Sequence, residues 1–225
     1  MYLNWSVIFD PKNLNFLLAG AQTTLIIAAI SIALGFVGGL LVGSCRLSKN
    51  PIIYGISTIY VEAFRGTPLL IQIFLVFFGL PSFGIQFNAF TAGLIALSLN
   101  SAAYQAEIFR GGVQSISKGQ MEASRSLGMT HMQAMVHVVI PQAIRNALPP
   151  YTNEFITMIK DSSLVMTIGV MELTLSGRQV ISSTFQPFVV LIFVAFLYFL
   201  MTFTTARILK YVEKRFAIPG MMGSE

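Results

Sequence analysis

The stretch FLLAGAQTTLIIAAISIALGFVGGLLVGS, residues 16–44, decides the fold of this chain. It lies within 33 uncharged residues between Lys12 and Arg46. Since about 20 apolar residues cross a bilayer as a helix, the stretch predicts a transmembrane helix. Its second half carries four small residues, Gly35, Gly38, Gly39 and Gly43. Glycines at this spacing let helices approach closely in lipid, so we expect a close helix partner on that side.

Four more stretches of this kind follow, at residues 53–80, 89–109, 147–170 and 188–209. A polar segment at residues 62–68 interrupts the second, and residues 110–146 are too polar to cross a membrane. The 225 residues are 10% charged, whereas about 25% is usual for a soluble domain. So few charges do not cover a soluble globule. We therefore predict an all-α membrane protein of one domain, residues 1–225, with five transmembrane helices.

The basic residues predict the orientation. With five spans, one side of the membrane carries ten of the fourteen: Arg46, Lys49, Arg110, Lys118, Arg125, Arg145, Arg207, Lys210, Lys214 and Arg215. The other side carries Lys12 and Arg178. By the positive-inside rule the N-terminus lies outside and the C-terminus in the cytoplasm. The net charge of +5 then reflects orientation, and we expect no nucleic-acid partner.

The loop between the third and fourth spans has helix signals of its own. A Ser-x-x-Gln pattern begins at Ser117 and a Thr-x-x-Gln pattern at Thr130, both typical of capping boxes. Gly128 sits where a helix from Ser117 needs a left-handed end, and Pro141 follows the second segment. We predict two short cytoplasmic helices with a corner at Gly128, within residues 115–141. From spacing alone, this is equally a hairpin that only connects two spans.

Several motifs of the chain resemble those of ABC importer permeases. The loop resembles their EAA loop through Glu122, Ala123, Gly128, Val138, Ile140 and Pro141, with Ser124 in place of a second alanine. Three further segments resemble the polar amino acid branch of these permeases: YVEAFRGTPL at 60–69, AAYQAE at 102–107 running into RGGVQ at 110–114, and KDSSL at 160–164. The resemblance covers roughly residues 22–214, in the right order.

This resemblance implies the type I permease fold of ABC importers, in the cytoplasmic membrane of a prokaryote. It implies contact with an ATPase subunit through Glu122, Ala123, Ser124, Arg125 and Gly128. Two ATPase copies, a second permease copy or similar subunit, and an extracytoplasmic amino acid-binding protein complete the expected complex. The chain has no Gly-x-x-x-x-Gly-Lys-Ser/Thr phosphate loop, so we expect a transport subunit rather than an enzyme. ATP and Mg then belong to the ATPase, and no cofactor or metal is expected in this chain.

The fourth span carries two acids that need a partner or a role, because an ionisable group in the membrane is costly. Glu154 and Asp161 are seven residues apart, almost two helical turns, so they share a face with Met158 between them. Lys160 points about 100° away from Asp161. The pair suits a cationic substrate such as arginine, lysine or histidine. Alternatively, the acids pair with Lys160, with Arg65 or with a second subunit.

Neutral polar residues complete the predicted substrate site. We expect a helix break at Thr67, where free amide groups and the helix dipole attract a carboxylate. Gln72, Asn100 and Tyr104 can line the same cavity, and Asn153 lies beside Glu154. The alternative for these residues is hydrogen bonding between helices.

Two ion pairs are predicted near the cytoplasmic side. Glu62 and Arg65 are three residues apart and are interpreted as a structural or gating pair. Glu107 is expected to pair with Arg110 at the membrane interface.

The sequence thus predicts the permease of an ATP-driven importer of polar, chiefly basic, amino acids that works by alternating access. A secondary transporter using Glu154 and Asp161 as proton or sodium sites is the alternative, and an odd span count argues against it. A purely structural membrane subunit is a third hypothesis, and it would need no polar face in the fourth span. The pairing of permeases, as homodimer or heterodimer, stays open.

Overall fold

The computed structural model describes residues 3–216, which are helical wherever they are regular. Ten α-helices follow one another: α1 Ser6–Phe9, α2 Pro11–Cys45, α3 Pro51–Gly66, α4 Leu69–Phe74, α5 Ala89–Gln114, α6 Lys118–Ser126, α7 His131–Ala134, α8 Ile140–Asp161, α9 Leu173–Thr184 and α10 Pro187–Phe216. Four π or 3-10 segments extend them: Leu75–Gly79, Leu80–Phe83, Met135–Val139 and Ser162–Ile168.

The longest apolar helix, α2, packs closely along α5. A Cβ added to Gly39 would lie 2.7 Å from the Cβ of Gln105, and one added to Gly43 would lie 2.8 Å from the carbonyl of Ala106. Only glycine permits this approach. The close partner predicted from the glycines of the first span is therefore confirmed, and it is the third predicted span.

The predicted break of the second span is confirmed. Helix α3 ends at Gly66, Thr67 and Pro68 are extended, and α4 starts at Leu69. The two halves, Pro51–Gly66 and Leu69–Phe83, differ in direction by 107°. Proline disfavours the helical conformation in the residue before it, which explains why the break falls at Thr67.

The start of the fourth span differs from the prediction. The predicted span starts at residue 147, but α8 begins at Ile140, and Pro149 and Pro150 lie inside the helix. Packing outweighs the hydrogen bonds lost at the prolines, because a Cβ on Gly112 of α5 would lie 2.8 Å from the carbonyl of Ala143 on α8. The α-helix ends at Asp161 and continues as a 3-10 segment. Helix α9 then follows in a stretch that was predicted only to connect two spans.

Two helices of the described part, α2 and α10, are long and apolar enough to span a membrane alone. Two bent pairs, Pro51–Gly66 with Leu69–Phe83 and His131–Ile168 with Leu173–Thr184, raise the number to four. The third predicted span, α5, falls short of this hydropathy because it carries polar side chains such as Asn100 and Gln105. The all-helical class is confirmed, while five spans and their orientation stay predictions.

Candidate functional site

The polar loop at one end of the molecule forms the predicted helical corner. Thr130 makes the full capping box: its Oγ1 accepts the amide of Gln133 at 3.2 Å, and its own amide donates to Oε1 of Gln133 at 2.8 Å. Ser117 also begins a helix, with its Oγ accepting the amide of Gly119 at 3.3 Å. The capping box predicted at Ser117 is wrong, because the side chain of Gln120 does not bond back to the Ser117 amide and instead accepts a hydrogen bond from Gln142 near the start of α8.

The corner itself depends on Gly128, which has φ +85°. The amide of Met129 donates to the carbonyl of Ser124 at 3.2 Å, which closes α6 with a left-handed residue as predicted. Arg125 donates to the carbonyl of Met129 at 2.8 Å and so braces the corner. Within residues 3–216 Glu122 forms no ion pair with Arg125, and its exposed side chain faces outward.

The tip of this corner exposes large apolar side chains. Leu127 is 82% exposed and Met132 70%, whereas Ser124 and Ala134 beneath them are buried. Exposed apolar side chains on a rigid, braced corner are typical of a protein contact surface.

The acid Glu154 is held by a chain of hydrogen bonds that starts on α2. Gln105 donates from Nε2 to the carbonyl of Ile32 at 3.2 Å and to Oγ of Ser101 at 2.9 Å. Ser101 in turn donates to Oε1 of Glu154 at 3.0 Å. The chain fixes the carboxylate of α8 against α5.

Asp161 ends α8 on the same side of the helix and is half-buried. Within residues 3–216 its carboxylate accepts no hydrogen bond and forms no ion pair, and neither the Glu154 nor the Asp161 carboxylate lies within 4.0 Å of a basic nitrogen. Met158 is buried on the face between them, as predicted. Lys160 is exposed beside Asp161 without reaching it.

The break of the second span is braced by three of the predicted substrate residues. Gln72 donates from Nε2 to the carbonyl of Phe64 at 2.7 Å and to Oγ1 of Thr67 at 3.0 Å. Asn100 donates to Oε1 of Gln72 at 2.9 Å. Thr67 donates to the carbonyl of Ala63 at 2.8 Å. The hydrogen bonding that was weighed as the alternative for these residues is thus present.

Helix α5 contributes one residue to each of the two polar networks. Asn100 faces the break and its neighbour Ser101 faces Glu154. The remaining predicted residues lie apart from both networks: Tyr104 is exposed under the guanidinium of Arg65, 5.4 Å from ring centroid to Cζ, and Asn153 is exposed on α8.

An ion cluster ties α2, α3 and α5 together near their ends. Glu107 pairs with Arg110, as predicted, and also with Arg46, while Arg65 lies 4.0 Å away. The predicted Glu62–Arg65 pair is wrong, since Glu62 lies 3.8 Å from Arg46 instead. Arg65 turns toward α5 because the Tyr104 ring and the Glu107 carboxylate both attract a guanidinium.

The sequence analysis did not predict the structural roles of three polar residues, Ser101, Gln105 and Glu172. Ser101 and Gln105 had a signal, since they are polar and four residues apart on an apolar helix. Glu172 is fully buried and caps α9, accepting the amide of Leu175 at 2.8 Å and the hydroxyl of Tyr198 at 2.7 Å. No pattern indicated it, because α9 itself was not expected.

Named relatives cover almost all of the chain. The probable glutamine ABC transporter permease protein GlnM of Bacillus subtilis (strain 168) is 39% identical over 213 residues, 95% of this chain and 98% of that protein. The nopaline transport system permease protein NocM of Agrobacterium fabrum is 42% identical over 88% of this chain and 86% of its own length. The glutamine transport system permease protein GlnP of Escherichia coli (strain K12) is 38% identical over 97% of this chain and 100% of its own length.

Solved structures share the fold. A crystal structure of an amino acid ABC transporter with histidines matches with a TM-score of 0.90 and 41% identity, over 96% of this chain and all of that chain. The inward-facing MetNI methionine ABC transporter matches with a TM-score of 0.73 and 25% identity, over 90% of this chain and 99% of that chain. Residues 35–218 match the family described as binding-protein-dependent transport system inner membrane component. The chain therefore belongs to this family of inner-membrane transport components and is an amino acid ABC transporter permease.

Proposed function

We propose that this permease imports polar amino acids, with a preference for those that carry a cationic side chain. The observation that supports the preference is the acid pair of α8, which has no basic partner within the described residues. Uncompensated charge inside a membrane costs about 3 kcal/mol or more. A substrate cation compensates it, so a basic amino acid gains most from binding there.

The spacing of the acids fits such a substrate. Seven residues of α-helix separate Glu154 from Asp161 by about 10 Å along the axis. An extended basic amino acid can place its side-chain cation near one carboxylate and its α-ammonium near the other. Its carboxylate is assigned to the break at Thr67, with Gln72 and Asn100 behind it.

Further contacts are assigned to Asn153, next to Glu154, and to Tyr104, one turn beyond Asn100. The relatives differ in what their names say: two are named for glutamine and one for nopaline, and a solved relative is described with histidines. A neutral amide substrate is therefore the competitor that the experiment must include.

The corner at residues 115–141 is assigned as the contact with an ATPase subunit. Its exposed Leu127 and Met132 offer an apolar surface, and Glu122 adds an outward charge. A braced corner transmits a displacement that a flexible loop would absorb. Ala123, Arg125 and Gly128 shape this surface, and the buried Ser124 supports it from beneath.

The working complex has two ATPase copies that bind ATP and Mg, a second permease copy or similar subunit, and an extracytoplasmic binding protein. Alternating access requires that the substrate and ATP bind the two states of the complex with different affinity. ATP-driven closure of the ATPases would open the pathway outward, and reopening would release the amino acid inside.

The test is reconstitution of the permease with its co-purifying ATPase and binding protein in vesicles. ATP hydrolysis is measured with arginine, lysine, histidine and glutamine. We expect arginine to stimulate most, and Glu154→Gln and Asp161→Asn each to raise the arginine concentration for half-maximal stimulation at least about tenfold, as for loss of a buried charge partner.

Asp10→Asn is the matched control, because it removes one carboxylate charge at the exposed start of α2 and keeps a side chain able to cap the helix. It should respond to arginine as the wild type does. Wild-type arginine response in both α8 variants, or a stronger response to glutamine than to arginine, would refute the basic preference.

A further inference from the structure

Helix α10 carries a single outward stripe that changes from aromatic to basic along its length. The stripe follows the three- and four-residue spacing of one helix face: Phe196, Phe199, Phe203, Arg207, Lys210 and Lys214. All six side chains are exposed in this chain. An exposed aromatic and basic face of this kind is available to contact a molecule other than this chain.

The stripe lies on the side of α10 that points away from the transport site. Leu209 and Val212 of α10 face the other way and line one cavity with Thr152 of α8, and Glu213 at the edge of that face hydrogen-bonds with Thr152. Thr152 is two residues from Glu154, so the two project to different sides of α8. The stripe is therefore separated from the acid pair by the bodies of α10 and α8.

The basic end of the stripe forms a small cradle. Arg207, Lys210, Tyr211 and Lys214 line a concave surface of about 230 Å³. Arg207 is held over the ring of Phe203 at 4.9 Å, and Arg215 donates to the hydroxyl of Tyr211 at 2.8 Å. Within the described residues, no carboxylate lies within 4.0 Å of the three basic groups of the stripe. The cradle is preorganised and carries uncompensated positive charge.

We propose that this stripe binds an anionic phospholipid, with the headgroup phosphate in the cradle and the acyl chains along the aromatic half. The dimensions agree: Phe196 to Arg207 is 11 residues, about 16 Å of helix, and half of a bilayer's hydrocarbon core is about 15 Å. With the predicted orientation, the lipid belongs to the cytoplasmic leaflet.

Charge favours a lipid over a second copy of this chain on the same face. Two copies that met through the stripe about a two-fold axis would bring the same basic groups together, and like charges repel. Anionic headgroups attract them, with each basic residue near the surface contributing about fivefold in affinity. The proposal is independent of the transported amino acid.

The test measures binding of a fluorescent phosphatidylglycerol to the detergent-solubilised full complex, with phosphatidylcholine as competitor. The triple variant Arg207→Gln/Lys210→Gln/Lys214→Gln should bind it about 100-fold more weakly. The matched control, Lys12→Gln/Lys49→Gln/Arg145→Gln, removes the same charge at exposed positions off the stripe and outside the corner, and should bind as the wild type does.

Equal loss in both triple variants would show a general charge effect, and unchanged binding in the stripe variant would show that the lipid lies elsewhere. Displacement of the fluorescent lipid by inorganic phosphate would show that the cradle binds anions in general and not a phospholipid. Loss of a permease or ATPase subunit from the stripe variant, with no lipid bound by the wild type, would make the stripe a protein interface. Each of these results overturns the proposal.

Discussion

At the residue scale, the hydroxyl of Ser101 is the hydrogen-bond partner that the described structure gives to the Glu154 carboxylate. We expect Ser101→Ala to raise the arginine concentration for half-maximal stimulation of ATP hydrolysis about tenfold. A hydrogen bond to a charged group contributes about 1.5–3 kcal/mol, and without it the carboxylate must be ordered by the substrate itself. The measurement uses the reconstituted complex.

Ser98→Ala is the control for this substitution. Ser98 lies on the same helix and is buried, but its Oγ has no hydrogen-bond partner within residues 3–216. Its replacement should leave the arginine response unchanged. A Ser101→Ala complex that responds like the Ser98→Ala complex would mean that the chain from Gln105 does not position Glu154.

At the element scale, the contact of α2 with α5 depends on the absence of a side chain at Gly39. We expect Gly39→Ala to destabilise the purified permease by about 1–3 kcal/mol, because its Cβ would lie 2.7 Å from the Cβ of Gln105 and 3.1 Å from the amide nitrogen of Ala106. Thermal unfolding in detergent measures this. Gly55→Ala on α3, where a Cβ meets nothing within 4 Å, should be neutral or stabilising. Equal unfolding temperatures would contradict the close packing.

Some elements could be predicted because their signals are local. A proline after Thr67 breaks the second span, and a left-handed Gly128 turns the loop, whatever surrounds them. The start of α8 at Ile140 could not be predicted, because packing of α8 against α5 and α10 overrides the preference of Pro149 and Pro150 for the start of a helix. Helix α9 was missed because its N-cap is Glu172, whereas Ser, Thr, Asp or Asn usually marks the start of a helix.

In the candidate site, too, the features that follow from local sequence could be predicted, and those that depend on packing between helices could not. The shared face of Glu154 and Asp161 follows from helical period alone, so it could be read from the sequence. The partners of Glu62 and of Arg65 could not, because they come from α2 and α5 and depend on how these helices meet. Ser101 was overlooked because a lone serine in an apolar helix is an ordinary feature until its neighbour is known.

At the scale of the whole molecule, the two ends differ in charge. Lys12 of α2 and Ser183 of α9 line one groove, so the starts of α2 and α10 and the helix α9 share one end. The corner at Gly128 lies at the other end, with Arg110 and Arg145 on the helices that lead into and out of it. This separation of charge supports the predicted orientation.

Cysteine labelling tests that orientation. Cys45 is the single cysteine and is exposed, so it is first replaced by serine. In that background we expect Ser183→Cys to react with a membrane-impermeant maleimide in intact spheroplasts, because the predicted orientation places α9 outside. Ser126→Cys on the corner should react only after permeabilisation. Both serines are exposed and bond only to their own helix, so neither change should disturb the fold. The reverse labelling would place the basic end outside, and it would remove the ATPase contact assigned to the corner because ATP is in the cytoplasm.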